Sequence, residues 1–146
     1  ELQNGGEFVV LLFLAAWGND TLAYCTGMLI GKHKMSPILS PKKSIEGLVG
    51  GIVGAAILGA LYGLYLNTYI RFSFNPVTMF PIVCGLGGAV SVIGDLAASA
   101  IKRDSGIKDY GTLIPGHGGI LDRFDSIIFI APVIYYLTVM ISGGAI

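Results

Sequence analysis

Four stretches of the chain consist almost entirely of apolar side chains, and the polar residues are concentrated between them. The stretches cover residues 8–30, 47–66, 76–100 and 127–146. Each has about the 20 residues that a helix needs to cross the hydrocarbon core of a bilayer. The pattern therefore predicts an all-α polytopic membrane protein with about four transmembrane helices, built as a single membrane-embedded domain over residues 1–146.

The composition favours the same class of protein. Of the 146 residues, 53% are hydrophobic and 12% are charged, whereas roughly 25% of the residues in ordinary soluble domains are charged. The mean hydropathy is +0.75. The formal net charge is zero, so overall charge identifies no partner, and no segment indicates nucleic-acid binding.

Small residues recur at every fourth position of the second stretch: Gly47, Gly51, Ala55, Gly59 and Gly63. This spacing puts them on one helix face, where a neighbouring backbone can approach closely. We expect tight helix packing along this face, and a homodimer contact is the other use that the sequence leaves open.

The basic residues lie on one side of the predicted membrane. Eight of the nine fall within residues 31–46 and 101–126. The positive-inside rule therefore predicts that both segments are cytoplasmic loops and that both termini face outward. We expect an integral protein of a bacterial cytoplasmic (inner) membrane with its chemistry on the cytoplasmic face.

Two carboxylates interrupt the apolar stretches. Asp20 falls near the middle of the first, and Asp95 lies towards the cytoplasmic end of the third. A carboxylate inside a bilayer is unfavourable unless it is paired or lines a wet cavity, so both are candidate functional residues. The alternatives are an ion pair between Asp20 and a lysine, and a location at the membrane interface for Asp95. An ion transporter with both acids along a pore is a further interpretation.

A second group of acids begins the fourth apolar stretch. Asp122 and Asp125 are three residues apart, so on a helix they project from one face. They could share a divalent cation with Asp95 as a third ligand, and such oxygen ligands suit Mg²⁺. The alternative is helix capping, in which Asp122 only binds backbone N–H groups.

The turn before these acids can bind an anion. Its glycines let backbone N–H groups approach a phosphate closely, and nearby basic side chains add positive charge. These residues are Gly116, Gly118, Gly119, Lys102, Lys108 and Arg123. Together with the acids they predict a membrane-embedded enzyme or binder of phosphorylated substrates.

Residues 99–125, SAIKRDSGIKDYGTLIPGHGGILDRFD, resemble the motif of the phosphatidate cytidylyltransferases, also called CDP-diacylglycerol synthases. The matching positions are Ser99, Lys102, Arg103, Lys108, Asp109, Pro115, His117, Gly118, Gly119, Asp122, Arg123 and Asp125. Residues 17–47 are similar to the same family at Asp20, Thr21, Ala23, Tyr24, Gly27, Gly31, Lys32, Ser40, Pro41, Lys42, Lys43 and Glu46.

The resemblance implies that CTP reacts with phosphatidate to give CDP-diacylglycerol and pyrophosphate in phospholipid biosynthesis. The metal would be Mg²⁺, held by Asp95, Asp122 and Asp125, and a second metal ion is left open. An isoprenoid phosphate is the alternative lipid acceptor. Family members are usually longer and have additional N-terminal membrane helices, so we expect this chain to be the catalytic half and those helices to be its partner.

The resemblance also implies roles for the other candidates. Those expected to take part in catalysis with the three metal ligands are Lys102, Arg123 and His117. We expect His117 to orient a phosphate or brace its turn rather than to transfer a proton. The candidates for binding CTP and the membrane lipid are Asp20, Tyr24, Lys32, Ser40, Lys42, Lys43, Ser99, Arg103, Lys108, Asp109, Gly118 and Gly119.

Overall fold

The computed structural model of the chain describes residues 5–36, 40–72, 74–107 and 121–141. Helices make up most of these residues, which confirms the predicted all-α class. The elements are α1 (Gly5–Phe13), a π-helical segment (Leu14–Gly18), α2 (Asn19–Ile30), β1 (Lys34–Ser36), β2 (Ser40–Ser44), α3 (Ile45–Tyr69), α4 (Pro76–Asp104) and α5 (Leu121–Ile141).

The helices have the lengths that a membrane protein requires. Within the described ranges, three are long and apolar enough to cross a bilayer: Gly6–Ile30, Ile45–Tyr69 and Pro76–Asp104. The fourth predicted span appears in α5 as a shorter apolar stretch, Ser126–Ile141, and its predicted continuation to residue 146 lies outside the described residues. The chain is therefore a polytopic membrane protein, while its orientation in the membrane stays a prediction.

Polar residues cap the first turns of α3 and α4. The Ser44 hydroxyl accepts a hydrogen bond of 3.1 Å from the Gly47 N–H and begins α3, as a serine at this position does in many helices. Asn75 Oδ1 accepts from the Val77 N–H at 3.0 Å and begins α4. At its other end α4 continues to Asp104, so the predicted charged loop of residues 101–126 is partly helical.

The stripe of small residues on α3 packs inside the chain. All five of its members are buried. A Cβ atom added at Gly47 would lie 2.7 Å from the Ala23 carbonyl oxygen of α2, and one added at Gly59 would lie 2.7 Å from the Phe80 carbonyl oxygen of α4. Helices in membranes associate through such close packing because lipid is as apolar as the side chains. The stripe is thus occupied by α2 and α4, and it lends no support to a homodimer, which stays a prediction.

The continuous helical segment Gly6–Ile30, which we call the first rod, carries its own row of buried residues. Leu11, Ala15 and Asn19 are fully buried at four-residue spacing. In an α-helix each four-residue step overshoots a full turn by about 40°. The π-helical segment has more residues per turn and so reduces this rotation. Ala15 and Asn19 therefore both face α4.

An aromatic cluster holds the helices together at the end remote from the hairpin. Phe80 is 1% exposed, and the Tyr62 hydroxyl donates a hydrogen bond to the Glu7 carboxylate. The rings that contact Phe80 belong to Phe8, Tyr62, Phe72 and Phe74. Apart from the bond between Tyr62 and Glu7 this end is largely apolar, whereas the contacts of His33 with Glu46 and of Lys43 with Asp95 lie at the other end.

Candidate active site

A short β-hairpin occupies part of the predicted first loop. Strands β1 and β2 pair in antiparallel fashion, with Lys34 opposite Ser44 and Ser36 opposite Ser40. The base of the hairpin is closed by a hydrogen bond of 2.9 Å from the Ile45 N–H to the His33 carbonyl oxygen. The hairpin therefore leads directly into α3, and two of its three lysines, Lys34 and Lys43, line the same cavity.

A second contact fixes the start of the hairpin to α3. Glu46 accepts a hydrogen bond of 2.6 Å from His33 Nδ1 and further bonds of 3.2 and 3.3 Å from the His33 backbone N–H. The histidine side chain is 75% exposed, so solvent screens this ion pair and its effect on overall stability is small. Its effect is local, because the segment between α2 and β1 is tied to the first turn of α3.

Replacing Glu46 with alanine should loosen this hairpin without unfolding the protein. We expect backbone amides around His33 and Lys34 to exchange with deuterium about two- to fivefold faster, the range that corresponds to loss of an exposed ion pair. Hydrogen exchange followed by mass spectrometry measures this change. Glu46→Gln keeps an acceptor oxygen and should show a smaller increase, whereas equal exchange in all three proteins would mean that Glu46 does not hold the hairpin.

A cavity of about 560 Å³ lies between α2, the hairpin, α3 and α4. It is large enough for a small ligand, since such sites measure about 300–1,000 Å³. Its polar lining combines carboxylates, lysines, hydroxyls and an amide, and its apolar lining includes methionines of α2 and β1. The polar side chains are those of Asn19, Asp20, Tyr24, Lys34, Ser40, Lys43, Ser44 and Asp95.

An ion pair joins the hairpin to α4 across this cavity. The Lys43 ammonium donates a hydrogen bond to the Asp95 carboxylate. The two side chains are 28% and 27% exposed, respectively, so both charges are partly removed from solvent and each reduces the desolvation cost of the other. The two residues are 52 positions apart in the sequence. The pair therefore connects the first block of candidate residues, 17–47, to α4, the helix in which the second block, 99–125, begins.

Asn19 is a buried polar residue that sequence reasoning passed over. It is completely buried, and Cβ atoms added at Gly51 of α3 and Gly88 of α4 would lie 2.7 and 3.1 Å from its Oδ1 atom. Its Nδ2 group donates a 3.5 Å hydrogen bond to Asp20 Oδ1, while Asn19 Oδ1 has no hydrogen-bond partner among the described residues. The sequence signal that could have identified Asn19 is its position next to Asp20 within an apolar stretch.

The structure brings five of the candidate residues into this one cavity. Four belong to the upstream block and one to α4: Asp20, Tyr24, Ser40, Lys43 and Asp95. Of the remaining described candidates, Lys32 is exposed after the end of α2. Ser99, Lys102 and Arg103 follow Asp95 on the last turns of α4, outside the cavity lining.

The other candidates cannot be located in the same way. Residues Lys108, Asp109, His117, Gly118 and Gly119 lie outside the described ranges, as do the side chains of Lys42, Asp122, Arg123 and Asp125. The backbone of α5 begins at Leu121, so the backbone of Asp122 and Asp125 belongs to the first turns of a helix.

Oxygen donors suited to a divalent cation are present at the cavity. The Asp20 and Asp95 carboxylates line it, and Asn19 Oδ1 is buried beside them without a described partner. Oxygen ligands of this kind fit Mg²⁺. Within the described part of the chain no three His, Cys, Asp or Glu side chains come together, so the complete ligand set of Asp95, Asp122 and Asp125 stays a prediction.

Comparison with known proteins shows that nearly the whole chain is related to one protein family. The model of the cytidylyltransferase family matches residues 1–141. The phosphatidate cytidylyltransferase of Staphylococcus saprophyticus is 39% identical over 139 residues, which cover 95% of this chain and 52% of that protein. Those of Staphylococcus haemolyticus and Staphylococcus aureus strain COL are 38% and 40% identical over 137 residues, 94% of this chain and 51% of each relative. The chain thus spans about half the length of these curated relatives.

Proposed function

The chain belongs to the cytidylyltransferase family, and on that premise we propose that it carries the active site of a phosphatidate cytidylyltransferase. In the full-length protein it would transfer the cytidylyl group of CTP to phosphatidate, giving CDP-diacylglycerol and pyrophosphate for phospholipid synthesis. The N-terminal membrane helices of the longer relatives would complete the protein.

One observation carries this proposal. Lys43 of the hairpin pairs with Asp95 of α4 in a cavity that also contains Asp20 and Tyr24. Lys43, Asp95 and Asp20 are charged residues from separate parts of the chain, in a protein where only 12% of residues are charged. Their convergence supports a polar reaction site rather than isolated membrane anchors. It also favours an enzyme over an ion transporter, because both acids share one cavity beside a lysine.

The reaction requires little acid–base chemistry from the protein. A phosphate monoester has a second pKa near 6, so the phosphatidate headgroup is mostly dianionic at neutral pH. One of its oxygens forms a bond to the α-phosphorus of CTP, the bond from that phosphorus to the bridging oxygen breaks, and pyrophosphate leaves with the electron pair. The tasks left to the protein are to align the two phosphates and to neutralise their charge.

The side chains of the cavity suit these tasks. Lys34 and Lys43 are held on the hairpin at one wall and would bind the anionic phosphates. Tyr24 and the methionines beside it would border the acyl chains where the lipid enters near Asp20. Lys102 and Arg103, on the last turn of α4, and Lys108 and Arg123 would add positive charge, and His117 would orient a phosphate or brace its glycine turn.

Mg²⁺ fits the donor chemistry of this site, and we propose Asp95, Asp122 and Asp125 as its ligands. When bound, the ion would neutralise the negative charge that the triphosphate and the lipid phosphate bring together. The ion pair of Lys43 with Asp95 would then be exchanged for contacts of Lys43 with phosphate and of Asp95 with the metal. Titration of the protein with Mg²⁺ would determine whether one or two ions bind.

The proposed location is the cytoplasmic membrane of a bacterium, with the cavity open to the cytoplasm where CTP is made. The bacterial relatives and the eight basic residues in two segments on one side of the predicted membrane support this orientation.

The test is incorporation of label from α-³²P-labelled CTP into chloroform-soluble lipid in the presence of Mg²⁺. The protein would be the chain by itself and the chain joined to the N-terminal half of the Staphylococcus aureus relative, offered either phosphatidate or a polyprenyl phosphate. We expect label only with phosphatidate, and we expect Asp122→Asn to reduce it by about 100- to 1,000-fold. Label with the polyprenyl phosphate alone would identify an isoprenoid acceptor, and no label with either would contradict the proposed function.

A further inference from the structure

A π-helical segment directly precedes the polar residues of the cavity. It covers Leu14–Gly18, and the next two residues are Asn19 and Asp20. π-Helical turns are rare and occur frequently at functional sites, where they redirect side chains. Trp17 lies within this segment, with its ring 4.8 Å from that of Phe13 and 6.2 Å from that of Phe124 in α5.

Trp17 contacts Phe124, which lies in the first turn of α5. A Cβ added at Gly87 would lie 3.3 Å from Ile134, whereas one added at Gly94 would meet Phe129 at 2.8 Å. Between these two positions α4 and α5 therefore pack against each other and run in opposite directions.

This contact joins the cavity to the acidic turn. Trp17, Asp20 and Tyr24 form an exposed face of the first rod, and the latter two line the cavity. Phe124 lies between Asp122 and Asp125 in the sequence. A ring that packs against Phe124 therefore also restricts where the backbone of these two residues can lie.

We propose that Trp17 is a positioning residue that holds the acidic first turn of α5 beside the cavity by packing against Phe124. The proposal rests on the proposed function for the role of the two aspartates, and Trp17 itself is not among the residues that line the cavity. Trp17 contacts α5 while Asn19, two residues later, is buried against Gly51 and Gly88.

The test compares Mn²⁺ binding, followed by electron paramagnetic resonance with CTP present, in variants of the chain joined to the relative's N-terminal half. Trp17→Ala and Phe124→Ala should each raise the Mn²⁺ dissociation constant by about 10- to 100-fold, as loss of a group that orients metal ligands does. Because both changes break one contact, the double variant should bind no more weakly than either single variant. Trp17→Phe, which keeps a ring, should stay within about threefold of the unsubstituted protein.

Tyr69→Ala is the matched control, since it removes an exposed ring that contacts the Tyr65 ring at a centroid distance of 5.0 Å, at the far end of α3. It should leave Mn²⁺ binding unchanged. If an alanine variant fails to fold, Trp17→Leu retains most of the volume without the ring and should show the same weakening.

Three results would overturn the proposal: an unsubstituted protein that binds no Mn²⁺, alanine variants that bind it as the parent does, or additive losses in the double variant. Failure of the proposed function is a different result, namely absence of label in lipid. The Mn²⁺ measurements decide the role of Trp17 in that case as well.

Discussion

Replacing Asp95 with asparagine should lower the rate of CTP-dependent lipid labelling by about 100- to 1,000-fold, the loss typical when one electrostatic stabiliser of a transition state is removed. Asp95 lines the cavity and pairs with Lys43. Asparagine preserves the shape of the side chain but removes its charge. Lys43 then loses its charged partner in the resting protein, and the proposed Mg²⁺ site loses the negative charge of one of its ligands.

The matched control for this variant lies on the same helix. Asp104 is the last residue of α4 and is exposed, away from the cavity lining. Asp104→Asn makes the same chemical change and should keep the rate within about twofold of the parent, as surface substitutions generally do. Similar rates in the Asp95 and Asp104 variants would remove Asp95 from the reaction.

Replacing Gly51 with alanine should destabilise the fold by about 1–3 kcal/mol, the range for inserting a methyl group into a packed interior. Its new Cβ would lie 2.7 Å from Asn19 Oδ1, 2.8 Å from the Ala23 Cβ and 2.9 Å from the Asn19 carbonyl oxygen. Two of these atoms belong to the backbone or to a Cβ and cannot move without shifting α2. The substitution would therefore separate α3 from the helix that bears Asp20.

Gly85→Ala provides the comparison, because Gly85 also lies within a helix but its added Cβ would meet nothing closer than the Ala56 Cβ at 3.7 Å. Alanine is the better helix former by roughly 0.5–1 kcal/mol, so this variant should be slightly stabilised. Thermal unfolding in detergent, monitored by circular dichroism, measures both. Equal unfolding temperatures would show that the close approach of α2 to Gly51 is not needed for stability.

The helices and the acidic candidates could be predicted from the sequence because both depend on local pattern. Apolar runs of about 20 residues specify membrane helices directly, and an acid within such a run is conspicuous. The same reasoning placed Asp20 and Asp95 near the site, and both line the cavity. The ends of the helices were harder to predict, since α3 begins at Ile45, before the predicted residue 47, and α4 continues to Asp104, beyond the predicted residue 100.

The hairpin and the π-helical segment could not be predicted because they depend on tertiary contacts. Strand β1 has only three residues, too few to show an alternating pattern, and backbone bonds and the contact of His33 with Glu46 hold it. The π-helical turn follows from the need to keep Ala15 and Asn19 on one buried face. The pairing of Lys43 with Asp95 likewise requires knowledge of how α2, α3 and α4 pack.

The central claim is that CTP and its metal bind in the cavity between α2, the hairpin and α4. Crystals of the full-length protein grown with CTP and Mn²⁺ test this directly, because anomalous scattering locates the metal. We predict a Mn²⁺ peak within about 2.5 Å of an Asp95 carboxylate oxygen, with triphosphate density beside Lys34 and Lys43. Metal and nucleotide density outside this cavity would contradict the account.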